Sequence, residues 1–138
     1  MERKGFLITW LAVLVGSNVY DALVHQVLLA DLYQAFTHVW RPEAEIMSMF
    51  GLMLGTSVMW SCIFVYMFGW ARKRPGVMEG VRFGVCVGLF TASISFGIYV
   101  ILPVSLSVGI SWFVAELVRC VLLGALASVV YRPRSAAS

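Results

Sequence analysis

Ser17, Asp21 and His25 follow one another at four-residue intervals in an otherwise apolar stretch, with Asn18 beside them. If the stretch is helical, that spacing stacks the three side chains on one stripe. A carboxylate and an imidazole on one stripe can pass a proton, because histidine titrates close to neutral pH. A second set stands near the other end of the chain, where Glu116 and Arg119 are three residues apart on adjoining parts of one helical face. A lone carboxylate in apolar surroundings costs at least about a few kcal/mol, so Asp21 needs a partner, a proton or water. Arg119 is the obvious partner.

The apolar stretches are long. Of 138 residues, 61% are hydrophobic and 12% charged, far from the usual make-up of a soluble domain. The net charge of +3 reflects bases at the ends of apolar runs, which argues for a membrane face and against a nucleic-acid partner. The expected fold is all-α, a single transmembrane domain of four helices forming an integral membrane bundle, with spans at about 5–30, 46–71, 82–102 and 106–131. Helix one is long enough to run on to Phe36, with Asp31 to Phe36 and Trp40 at the interface. Pro42 suits the first turn of helix two, where Glu43 and Glu45 face the positive end of its dipole. Met1 to Lys4 imitates the start of a signal peptide, but with no small-residue cleavage site after it the segment reads as a retained first helix.

Orientation follows from the bases. Arg3, Lys4, Arg72, Lys73, Arg74, Arg82, Arg132 and Arg134 fall on one side and Arg41 alone on the other. Both termini and the middle loop are therefore expected in the cytoplasm, and the partners include the lipid bilayer. Measured from the cytoplasmic ends by helical rise, Asp21 lies about 24 Å deep, Glu116 about 22 Å and Arg119 about 18 Å. These depths predict contact between helices one and four, with Arg119 bridging Glu116 to Asp21 or Asn18 and His25 at the outer edge. An interhelical clamp is the first reading of the cluster and a proton or ion pathway the second.

Small residues form two further series. Gly80, Gly84, Gly88 and Ala92 recur at every fourth position of helix three, and Ala44, Ser48, Gly51 and Gly55 lie along helix two. Both are expected to be helix-packing faces, since bare backbones approach closely where lipid removes the hydrophobic drive. Met47, Met49, Met53, Met59 and Met67 are scattered around helix two and read as filler, with no copper site. Cys62, Cys86 and Cys120 read as free buried thiols. With one histidine on a loop and the other without a partner at its depth, no metal and no cofactor is expected. There is no Ser-His-Asp set, phosphate-binding glycine loop or HExxH, and hence no sign of an enzyme.

Asp21, His25, Asp31-Leu32-Tyr33, Trp40 to Glu45, Met78 to Gly84, Leu102-Pro103, Trp112-Phe113 and Tyr131-Arg132-Pro133 together carry a likeness along nearly the whole chain. The chain resembles a family of small bacterial inner-membrane proteins of uncharacterised function. That resemblance implies a four-helix bacterial membrane protein and no particular activity. Arg119 and Cys120 depart from it, since apolar or small residues are expected there. The functional expectation is a non-enzymatic accessory or structural subunit packing laterally in a larger membrane complex. The alternative is a small oligomeric transporter or channel module lined by Asp21, His25, Glu116 and Arg119. A third reading, a membrane enzyme or a pigment- or quinone-binding protein, rests on His25 and the aromatic content.

Overall fold

A computed structural model describes residues 3–131; Arg132, Pro133 and Arg134, with the first two residues, lie outside the described residues. The described chain is helical and has no strand. It runs α1 (Arg3–Leu23), a π-helical turn (Val24–Leu28), α2 (Ala30–Gln34), α3 (Glu43–Ser48), α4 (Phe50–Ala71), α5 (Val77–Tyr99) and α6 (Leu106–Val130). Counting the π turn with α1, four helices of 26, 22, 23 and 25 residues are long and apolar enough to cross a membrane. The shortest is about 33 Å at 1.5 Å per residue, against a hydrocarbon layer of about 30 Å.

The helix boundaries have local causes. The N–H of Leu29 reaches five residues back to the Val24 carbonyl at 2.8 Å, so the first helix widens into a π turn and stops instead of running on to Phe36. Pro42 stands one place before α3, not within its first turn, and its carbonyl accepts the N–H groups of Glu45 and Ile46. The expected second span is interrupted at Met49, which separates α3 from α4. Helix α5 begins at Val77, five residues earlier than expected, and Glu79 and Arg82 pair within its first turns at 3.3 Å. Gly76 makes the preceding turn at φ 126°, a conformation that favours glycine.

Helix α1 packs between α4 and α6, and α6 lies along the length of α5. The core is small: Val13 of α1, Phe64, Val65 and Phe68 of α4, and Cys120, Leu123 and Ala127 of α6. Phe83 of α5 meets Phe64 and Phe68 edge-on, bridging α5 to α4, whose backbones are otherwise apart. Outward rows are apolar, as in Leu7, Leu11, Val15 and Val19 of α1 and Leu52, Ile63 and Trp70 of α4. At one end the first turn of α1, the α4–α5 turn and the end of α6 meet: Arg72 donates to the Tyr131 carbonyl at 3.0 Å and stacks on its ring, which also lies beside Gly5. Arg3, Lys4, Lys73 and Arg74 therefore share that end of the bundle.

Helices α5 and α6 touch backbone to backbone. Gly80, Gly84, Gly88 and Ala92 are buried, and a Cβ added to Gly84 would stand 2.7 Å from the Val121 Cα. Gly51 and Gly55, expected to pack in the same way, are exposed and would meet nothing within 4 Å. The reason is the arrangement of α4, which turns Ser61, Phe64, Val65 and Phe68 to the bundle and its early glycines away from it. Gly84→Ala is accordingly expected to cost about 1–3 kcal/mol by forcing two backbones apart. Gly55→Ala is expected to gain about 0.5–1 kcal/mol from helix propensity alone. Unfolding of the purified protein in detergent measures both; equal effects would contradict the packing described here.

Candidate functional site

Arg119, on the fourth turn of α6, is the hub of the polar interior. One terminal nitrogen donates to Asp21 Oδ2 at 3.0 Å and, more weakly, to Ser17 Oγ at 3.5 Å; the other donates to Glu116 Oε1 at 2.8 Å. Its guanidinium lies over the Trp60 ring of α4, 4.3 Å from the centroid. Trp60 thus adds a cation–π contact, worth more in a desolvated place than at a surface. The side chains of Arg119 and Glu116 are 15% exposed, whereas Asp21 is 38% exposed. Arg119 Nε is buried without an acceptor among the described residues. Two formal negative charges share one positive charge, leaving the triad at minus one.

Of the other expected members, Asn18 turns away from Arg119, and His25 stands on the wall of a cavity that Asp21, Glu116 and Arg119 also line. Asn18 faces α4, where its amide donates to Ser57 Oγ at 2.8 Å while also bonding the Leu14 carbonyl. His25 falls inside the π turn, and its Nδ1 lies 2.7 Å from the Tyr33 hydroxyl. Tyr33 in turn accepts the Trp112 indole N–H at 2.8 Å and stands edge-on to Trp40, while its ring stacks with His25. Burial raises the Tyr33 phenol above its ordinary pKa, with the Trp112 hydrogen bond pulling the other way. The phenol therefore keeps its proton across the physiological range. Aromatic side chains form much of this site, and only their polar tips mark them in the sequence, because a buried indole or phenol needs a partner.

Two cavities flank the triad. One, of about 230 Å³, is walled by α1, α5 and α6 and includes Tyr20, Asp21, Trp112 and Glu116. The other, of about 390 Å³, lies between α1 and α4 and includes Ser17, Asn18, Ser57 and Trp60. Both touch Asp21 and Arg119. A third opening, lined by Tyr33, Trp40 and Arg41, shares His25 and Trp112 with the first and leads towards the end opposite the base-rich turns. Towards the base-rich end the helices close on Val13, Val65, Phe68, Leu123 and Ala127. The polar interior is therefore open on one side and packed on the other.

No group of three or more His, Cys, Asp or Glu residues among the described residues could hold a metal ion. Cys120 is buried, with its thiol 3.5 Å from the Thr91 hydroxyl and 3.7 Å from Glu116 Oε1. Cys62 is half-buried and Cys86 exposed on the outer face, so the three thiols do not share the buried setting expected of them.

Removing the guanidinium leaves two facing carboxylates with no cation. Arg119→Gln is therefore expected to cost about 3 kcal/mol, the low end for a broken buried pair because Asp21 is partly exposed. The triple change Asp21→Asn, Glu116→Gln, Arg119→Gln is expected to recover most of that loss. A stability loss for Arg119→Gln no greater than for the exposed Arg82→Gln would show that the hub does not hold the helices together. Neither family models, nor the curated proteins, nor the solved structures provide a match to this chain.

Proposed function

We propose that this chain is a multi-pass protein of a bacterial inner membrane, with both termini cytoplasmic, and that it works as a non-enzymatic subunit packing laterally against another membrane protein. The apolar outward rows support insertion, since surface of that extent is stable in lipid and not in water. The gathering of Arg3, Lys4, Arg72, Lys73 and Arg74 at one end supports the orientation. The resemblance to small bacterial inner-membrane proteins implies insertion as well.

One observation carries the lateral role: Gly51 and Gly55 turn outward with nothing within 4 Å, while Gly80, Gly84 and Gly88 are covered within the chain. A glycine pair one turn apart lets a second helix approach closely, and the flanking Leu52 and Leu54 offer apolar contact to either side. The cavities around the triad favour a second reading, a transporter or channel module, in which the packed core at the base-rich end has to open during transport.

A photo-crosslinking residue at position 55 in native membranes tests the first reading. The expected result is one dominant adduct with a different membrane protein, lost when Gly51→Leu is added. An adduct only with a second copy of the chain, or none with protein, would overturn it. Reporter fusions at both termini are expected to be active on the cytoplasmic side only; opposite sides would contradict the assigned topology. For the second reading, Asp21→Asn and Glu116→Gln are expected to abolish flux in liposomes, and unchanged flux discards it.

A further inference from the structure

We infer that the recess between α1 and α4 at the base-rich end of the bundle binds the headgroup of an anionic phospholipid, an inference that rests on membrane insertion and not on the lateral-subunit role.

The recess holds about 580 Å³ and is lined by Arg3, Phe6 and Leu7 of α1 and by Tyr66, Gly69 and Trp70 of α4. Farther along the same seam the Trp10–Ser61 bond ties the two helices together, so the recess sits at their base-rich ends. The polar groups of its lining can all donate: the Arg3 guanidinium, the Tyr66 hydroxyl and the Trp70 indole N–H. None of the three takes part in a side-chain hydrogen bond or ion pair among the described residues. Trp70 is 87% exposed, more than any other large apolar side chain described, so its ring and its N–H are available to a ligand. Among the described residues, no acid lines the recess.

The charge around the recess is one-sided. Lys4, Lys73 and Arg74 share that end of the bundle and have no acid partner among the described residues, while Glu79 is paired with Arg82 at 3.3 Å. A phosphate there meets several bases and no competing carboxylate, which is how basic pockets between membrane helices take anionic headgroups. The planar Arg3 guanidinium can give two parallel N–H groups to phosphate oxygens. A zwitterionic headgroup gains less, because its ammonium finds no carboxylate in the lining. The level suits a lipid as well. Tyr66 stands five residues before the end of α4 at Ala71, about 8 Å by helical rise, so the donors lie where headgroup gives way to hydrocarbon. A free phosphate would leave Phe6 and Leu7 uncovered. A phospholipid covers them, and its acyl chain continues along the exposed row Leu7, Leu11 and Val15.

The test is native mass spectrometry of the full chain released from nanodiscs that hold equal amounts of phosphatidylglycerol and phosphatidylcholine with matched acyl chains. One retained phosphatidylglycerol per chain is expected, enriched at least about fivefold over phosphatidylcholine, the attraction of a single base near a membrane surface. Arg3→Gln is expected to remove that enrichment. Tyr66→Phe combined with Trp70→Phe keeps the rings and the charges and is expected to lower it at least about threefold. Arg82→Gln removes an equally exposed base outside the recess and is expected to leave it unchanged. All of these side chains are exposed, so the variants are expected to unfold at the temperature of the unaltered chain. Equal retention of the two lipids, no retained lipid, equal losses in Arg3→Gln and Arg82→Gln, or displacement of the lipid by inorganic phosphate would each overturn the proposal. So would a protein adduct from a photo-crosslinking residue at position 70 in native membranes. Failure of the chain to enter nanodiscs would overturn membrane insertion too, whereas entry without lipid preference overturns this site alone.

Discussion

A guanidinium placed among apolar helices must find negative partners, and the way Arg119 finds them organises this molecule. Its two terminal nitrogens reach in different directions, one to Asp21 on α1 and one to Glu116 a turn earlier on its own helix. Its flat face rests on Trp60 of α4. Three helices are thereby set in register at one depth by a single side chain. Buried ion pairs are weak sources of net stability but strong penalties when left incomplete, so they specify an arrangement more than they strengthen it. Here the arrangement specified is α1 between α4 and α6.

The α5–α6 pair is held by a different force. Glycines bring the two backbones together without any charged group between them, and dispersion contacts along that seam do not depend on α1 or α4. The bundle is thus a tight hairpin, α5 and α6, onto which α1 and α4 are docked by a polar hub, side-chain hydrogen bonds and a small aromatic core. Two of those bonds, Trp10 to Ser61 and Asn18 to Ser57, join α1 to α4, and another, from the Tyr20 hydroxyl to the Ala115 carbonyl, joins α1 to α6. The cavities lie where α1 meets the hairpin and where it meets α4, which are the seams that polar side chains hold and backbones do not close.

The four apolar runs and the partnership of Asp21, Glu116 and Arg119 were legible from the sequence, because long uncharged stretches and matched depths follow from helical rise alone. Other features depend on what the chain does locally. His25 shares the four-residue spacing of Ser17 and Asp21 and a cavity wall with Asp21, but it falls in a π turn and its partner is Tyr33. No residue in Val24–Leu28 announces such a turn. Asn18 was within reach of Arg119 on a helical wheel, but Ser57 on α4 claims it, a choice made by a helix far away in the chain. Gly51 and Gly55 have the same spacing as Gly80 and Gly84 and the opposite environment, since spacing says that a helix can be approached closely and not by what. The aromatic walls Tyr20 and Trp112 have polar tips that require partners, but nothing local names those partners, Ala115 and Tyr33.

The interaction on which this picture depends is the coupling between Asp21 and Arg119 across the α1–α6 seam. A double-mutant cycle combining Asp21→Asn with Arg119→Gln, read by unfolding in detergent, isolates it from the other contacts each residue makes. A coupling of about 1–3 kcal/mol is expected, the double variant being more stable than the sum of the two losses allows. Additivity of the two substitutions would mean that the two side chains do not meet and that some other contact holds α1 against the hairpin.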